Sequence, residues 1–163
     1  MNKGAYRFVV FLLLPFLLLA LGRLSPGWAC SRYPQPPLPT VGLTIETPNG
    51  EHLVLAELAA SPEQTSCGLM GRTDLPPGTG MLFDMRPAGP AWFWMKNTLL
   101  PLDIVFIGPA GEVAHVAPDT TPFSTRSVGI DANVAAVLEV AAGQAARLGI
   151  RPGTRVALPW LKR

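Results

Sequence analysis

The segment FWMKNTLLPLDIVFI, residues 93–107, sets polar and charged residues inside an otherwise apolar run. Alternation along an extended strand places Trp92, Trp94 and Lys96 on one face. The same alternation places Asp103 among aliphatic side chains. A charge inside an apolar layer costs free energy unless a partner compensates it. The segment therefore predicts that its charged side chains have partners close by.

Residues 92–96 and 102–107 are predicted to be two strands that pair as antiparallel neighbours across the loop between them. In one register, Lys96 lies directly opposite Asp103, and each charge compensates the other. A shift of one residue places Met95 there instead. The first register is the simplest account of why the two charges occur together.

Asp103 has two further candidate partners. Residues 97–99 form the adjoining loop, and an Asp side chain commonly accepts hydrogen bonds from such backbone N–H groups. Arg72, which follows a predicted helix, offers a cation. The sequence leaves these alternatives open.

Outside this segment, the chain reads mostly as short strands. Polar and apolar residues alternate on both sides of a tight turn at Asn49-Gly50, which predicts a hairpin. Ser61, Pro62 and Gln64 predict a helix that starts at Pro62 and reaches about Met70. The sequence predicts a β-rich α+β domain, a compact barrel-like sheet with two short helices. The other predicted elements are strands at 78–85, 112–117, from 134 and at 151–158, a helix at 143–148 and a polar loop at 118–130.

Residues 1–29 have the order of a secretory signal peptide. Lys3 and Arg7 precede an apolar run over residues 8–21, which is shorter than the roughly 20 residues of a membrane-spanning helix. Small residues follow before Cys30. We therefore expect an exported protein, located in the periplasm or outside the cell, whose leader is cleaved or, alternatively, retained as a membrane anchor.

The basic character of the chain comes from this leader. The chain has 13 basic and 11 acidic side chains, a net charge of +2. Without Lys3, Arg7 and Arg23 the balance becomes −1. Nucleic-acid binding needs a concentrated positive surface, so the composition argues against a nucleic-acid partner.

The two cysteines, Cys30 and Cys67, have three alternative fates. Cys30 is lipidated and anchors the protein to a membrane, forms a disulfide with Cys67, or stays a free thiol. Two cysteines alone do not decide between them. Four prolines at residues 31–40 predict that residues 30–40 are a semi-rigid linker, and the folded domain is expected over residues 41–163.

Five motifs carry a resemblance to a known family. They are CGLMGR, GMLF, FWMKNT, PLDIVFI and the late VLEVAAG with GIRPGTRV. In this order and spacing, over residues 41–158, the chain resembles the domain-of-unknown-function 192 family. The resemblance implies one β-rich domain, commonly exported, and no established activity.

The candidate site is a patch of aromatic and polar residues around the opening segment. Aromatic faces beside a cation suit a small ligand of the cell envelope, such as a sugar, a peptidoglycan fragment or a small anion. A non-catalytic ligand-binding or accessory module is the leading interpretation. The alternatives are a hydrolase-like enzyme that uses Asp103 and Lys96 and a structural scaffold that docks to a protein partner. The ligand-binding candidates are Trp92, Trp94, Lys96, Asn97, Asp103 and Arg72.

No cofactor or metal is expected. Thioethers suit Cu(I), but methionine also fills irregular gaps in cores, and that interpretation is preferred here. His52 and His115 lie on different predicted strands without ligand spacing. The methionines considered are Met70, Met81, Met85 and Met95.

Overall fold

The computed structural model describes residues 30–161, so the predicted signal peptide at 1–29 lies outside the described residues. No helix among residues 30–161 is long and apolar enough to cross a membrane. The strands are β1 (Thr40–Thr47), β2 (Gly50–Ala59), β3 (Thr79–Phe93), β4 (Leu102–Ile107), β5 (Val113–Thr120), β6 (Val128–Ala141) and β7 (Arg155–Val156), and the helices are α1 (Pro62–Cys67) and α2 (Gln144–Leu148).

One sheet contains all seven strands, in the order β5-β4-β6-β3-β2-β1-β7. Its neighbours are antiparallel except β2 and β3, which are parallel and connected through α1. The two ends of the sheet approach each other where the Val113 N–H donates to the Thr154 carbonyl and the Gly153 N–H donates to the Val113 carbonyl, both at 2.8 Å. The sheet is therefore curled into a half-barrel, which confirms the predicted β-rich α+β class.

Both faces of the central strands are buried. The barrel cluster packs Leu82, Val105 and Leu138 with side chains from β1, β2 and α2 inside the curl. On the opposite face lies the outer cluster, which includes Phe83 and Phe106 and reaches the chain just after α1. Because β4 and residues 134–140 of β6 are buried, these stretches read as nearly continuous apolar runs.

Local signals define the start of α1. The Ser61 hydroxyl accepts the Gln64 N–H at 3.2 Å, and the Gln64 side chain accepts the Ser61 N–H at 2.9 Å. This confirms the predicted capping box. The helix ends at Cys67 rather than near Met70, because Gly68 adopts a φ of 47°.

The predicted pairing of residues 92–96 with β4 is wrong. Both sides of β4 are already occupied, one by β5 and the other by β6. The end of β3 pairs instead with the start of β6, where Trp92 lies opposite Gly129. Strand β6 starts at Val128, inside the region that was predicted to be a polar loop. Strand β3 spans two of the predicted strands, which are connected through irregularities in the pairing at residues 84–91.

The proline-rich segment at 30–39 lies against the domain. Cys30 forms a disulfide with Cys67, so of the three alternatives for Cys30 the structure shows the disulfide. The buried Gln35 amide donates to the carbonyls of Gln64 at 3.1 Å and Gly68 at 2.8 Å. These contacts place the segment beside α1.

Candidate functional site

A cleft of about 520 Å³ opens on the outer face of the sheet, between the end of α1 and the end of β3. The disulfide forms part of one wall, and the segment that follows β3 forms part of the other. Its lining residues are Cys30, Tyr33, Thr65, Ser66, Cys67, Gly68, Leu69, Met70, Phe83, Met85, Trp92, Phe93, Trp94, Lys96, Asn97, Thr98 and Glu139.

Two indoles stand at the cleft with unusual exposure. Trp92 is 58% exposed and Trp94 is 48% exposed, although large aromatic side chains are normally well covered. The Lys96 ammonium lies 5.1 Å from the centre of the Trp94 ring, within the range of a cation–π contact. Three of the predicted ligand-binding residues therefore line one cleft.

Asn97 connects the two walls. Its carbonyl accepts the Gly71 N–H at 2.9 Å, and its amide approaches the Met70 sulfur at 3.9 Å. Asn97 has a φ of 57°, a conformation that Asn tolerates better than most residues. The predicted Asn97 thus lines the cleft and also fixes the loop that presents Trp94 and Lys96.

Asp103 lies on the other face of the sheet. One of its carboxylate oxygens accepts the Asp119 N–H at 2.9 Å, and the other accepts the Ala145 N–H at 2.8 Å. Its side chain is 1% exposed and makes no ion pair with Lys96. The predicted Lys96–Asp103 pairing and the alternative contact with residues 97–99 are both wrong: Asp103 ties α2 and the end of β5 to β4.

Arg72 does not line the cleft. Its guanidinium donates to a Glu57 carboxylate oxygen at 2.8 Å, and the same oxygen accepts the Leu38 N–H at 2.8 Å. Arg72, the third candidate partner of Asp103, therefore pairs with Glu57 instead. This pair holds the start of the domain to β2.

Glu139 is a site residue that the sequence reasoning missed. It lies on β6 between Met81 of β3 and Ile104 of β4, and its side chain is 5% exposed while it lines the cleft. Burial raises the pKa of Glu139 to about 8. The sequence signal that could have identified Glu139 is an acidic residue inside the apolar run VAAVLEVA. Asp103 gives the same signal inside the apolar run LDIVFI.

The four methionines considered as copper ligands lie in two different surroundings. Met70 and Met85 line the cleft, while Met81 and Met95 are buried in the outer cluster. The Met95 sulfur receives the Thr120 hydroxyl at 3.1 Å. Over residues 30–161, no group of three or more His, Cys, Asp or Glu side chains is arranged to hold a metal ion.

Comparisons with known proteins agree with this architecture. The domain-of-unknown-function 192 family model, described as an uncharacterized ACR, matches residues 44–158. A crystal structure of a protein of unknown function from Novosphingobium aromaticivorans is 38% identical with a TM-score of 0.74, over 77% of this chain and 90% of that chain. A Sinorhizobium meliloti crystal structure, provisionally described as a transcription regulator, is 37% identical with a TM-score of 0.72, over 76% and 96%.

No curated protein matches the chain. The family model nevertheless spans more than half of the sequence. It includes both walls of the cleft from Thr65 onward and the strand that carries Glu139. The chain therefore belongs to the domain-of-unknown-function 192 family.

Proposed function

We propose that this protein is an exported, non-catalytic ligand-binding module of the cell envelope, and that the cleft is its binding site. The observation that carries the proposal is the exposure of Trp92 and Trp94 beside a cleft of about 520 Å³. That volume lies within the roughly 300–1,000 Å³ of small-molecule sites. Flat aromatic faces supply contact area at low cost in side-chain entropy.

Two features support export. The leader at 1–29 has the charge and hydropathy order of a signal peptide, and the disulfide between Cys30 and Cys67 is of the kind that persists in oxidising compartments. The disulfide also contributes to the cleft wall. The disulfide, which forms by oxidation of the two cysteines, therefore lies in the same part of the fold as the proposed binding site.

The enzyme alternative relied on Asp103 and Lys96 acting together. Both carboxylate oxygens of Asp103 are occupied by backbone donors on the side of the sheet away from the cleft. Lys96 lies over Trp94. A shared catalytic site for the two residues has no geometric support, and binding is the function we retain.

The test is a titration of the purified protein with small aromatic, amino and sugar compounds, in which binding is monitored by tryptophan fluorescence. Trp92→Ala and Trp94→Ala should each weaken the binding of a compound that occupies the cleft by roughly 10-fold or more, as truncation of an aromatic anchor does. Leu53→Ala removes an exposed apolar side chain on β2, away from the cleft, and should leave affinity unchanged. Equal effects of all three changes would contradict the proposed site.

A further inference from the structure

Glu139 is an acidic residue at a position surrounded by apolar side chains. Its neighbours across β3 and β4 are Met81 and Ile104, and Val137 precedes it on the same face of β6. Across residues 30–161, no hydrogen bond and no ion pair engages its carboxyl group. Buried acids are normally paired because an isolated charge there is costly. A buried acid that lacks an internal partner and lines a cleft indicates that its partner comes from outside.

The charge distribution around Glu139 is simple. Lys96 is the other charged residue that lines the cleft within the described chain, and Tyr33 is the remaining residue there with a titratable side chain. Lys96 is exposed and lies over Trp94, whereas Glu139 is almost fully covered. The buried end of the cleft therefore offers an acid, and its exposed end offers indole faces and a cation.

We infer that the ligand of this cleft is an organic ammonium compound with an apolar body, whose amine binds the Glu139 carboxylate and whose body contacts Trp92 and Trp94. The inference rests on the proposed function and adds its ligand class. An ammonium supplies the hydrogen-bond donors and the opposite charge that the carboxyl group lacks. Indole faces also attract cations. A simple anion would meet Lys96 at the mouth but would bring no opposite charge to the Glu139 carboxylate.

Binding of this kind is linked to a proton. Because burial raises the pKa of Glu139 to about 8, the empty cleft holds a neutral acid at pH 7. An ammonium ligand binds the ionised form, so the acid releases its proton when the amine binds. Below pH 8 the affinity for an amine should therefore rise about tenfold per pH unit, and it should level off above pH 8. A neutral ligand of the same shape should lack this dependence.

The experiment uses three matched probes on the purified protein: phenethylamine, 2-phenylethanol and 3-phenylpropionate. Calorimetric titrations are run between pH 6 and pH 9. At pH 8.5 we expect phenethylamine to bind more tightly than the other two probes. Its affinity should rise with pH up to about pH 8, as the proton linkage requires. Glu139→Gln keeps the shape of the side chain and removes its charge. It should weaken the binding of phenethylamine at pH 8.5 by about 10- to 100-fold and abolish the pH dependence of the affinity. Glu51→Gln, an exposed acid on β2, is the control.

The outcomes separate the two proposals. If phenethylamine binds no better than 2-phenylethanol, or its affinity does not change with pH, the amine inference is overturned, while binding that depends on the tryptophans still supports the cleft. If none of the three probes binds, the amine inference fails. If the wider compound panel also shows no dependence on Trp92 or Trp94, the proposed function fails as well. The pH series on the unaltered protein gives this answer even if Glu139→Gln does not fold.

Discussion

The substitution Glu139→Gln should make the protein more stable at alkaline pH. The unfolded chain releases the proton of this carboxyl near the ordinary value of 4.5, whereas the folded chain keeps it until about pH 8. Between these values the folded state holds a proton that the unfolded state has lost. The free energy of unfolding therefore falls as pH rises through this window and is constant above it, as far as Glu139 is concerned.

The size of the effect follows from the width of the window. One pKa unit corresponds to about 1.4 kcal/mol, so a shift from 4.5 to about 8 corresponds to about 3–5 kcal/mol. Total stabilities of domains are only about 5–15 kcal/mol. One buried acid can therefore decide whether this fold survives mild alkali. Glutamine has nearly the same shape and does not ionise, so the variant should lack this loss.

Urea unfolding at half-unit steps from pH 4.5 to pH 9 measures the difference. The two proteins should have similar free energies of unfolding near pH 4.5, and the variant should be more stable by about 3–5 kcal/mol above pH 8.5. Glu51→Gln, at an exposed site, should show no such divergence. A constant difference between Glu139→Gln and the unaltered protein across the series would mean that Glu139 is ionised in the fold, and it would refute the burial argument.

Three further predictions concern the scaffold. Asp103→Ala should lower the free energy of unfolding by about 2–4 kcal/mol because two backbone donors lose their acceptor, while Lys96→Met should change it by less than about 0.5 kcal/mol; urea unfolding of the double variant should give the sum, and strong coupling would contradict their separation by the sheet. Reduction of the disulfide, which joins residues 37 apart, should cost about 3–4 kcal/mol, measured by unfolding with and without reductant. Gly80→Ala places a Cβ 2.5 Å from the Glu139 carbonyl oxygen and should cost about 1–3 kcal/mol in thermal unfolding; Gly89→Ala, where the space is open, is the matched control, and equal costs would contradict the packing.

Features that depend on neighbouring residues could be predicted from the sequence. The capping box at Ser61 and Gln64 forms as expected, because a cap depends on residues three apart. The first hairpin turns at Pro48-Asn49, with Thr47 opposite Gly50, one residue from its predicted position. The number of short helices and the dominance of strands follow from the same local signals. Fold class was therefore accessible from pattern alone.

Strand partners could not be predicted in the same way. Alternation tells which face a side chain occupies, but not which strand lies beside it. Residues 92–96 and β4 are close in sequence, and a hairpin between them is the simplest expectation. The chain instead inserts β6 between β3 and β4. That choice depends on the closure of the whole sheet, which no short segment encodes.

The candidate site was predicted in part for the same reason. Trp92, Trp94, Lys96 and Asn97 meet in the cleft because they are close in the chain and lie where β3 ends. Glu139 reaches the cleft from β6, more than forty residues later. A contribution of this kind is visible only when the sheet order is known.

Two buried acids, Asp103 and Glu139, show what separates scaffold from site in this fold. Each sits in an apolar strand, and β4 and β6 are direct neighbours. Asp103 receives a backbone donor on each oxygen, so its charge is compensated within the protein and its removal should destabilise the fold. Within residues 30–161, the Glu139 carboxyl group makes no hydrogen bond or ion pair, and Glu139 lines the cleft. A neutral residue there would make the fold more stable in alkali, so stability does not explain the acid, whereas the proposed binding of an amine does.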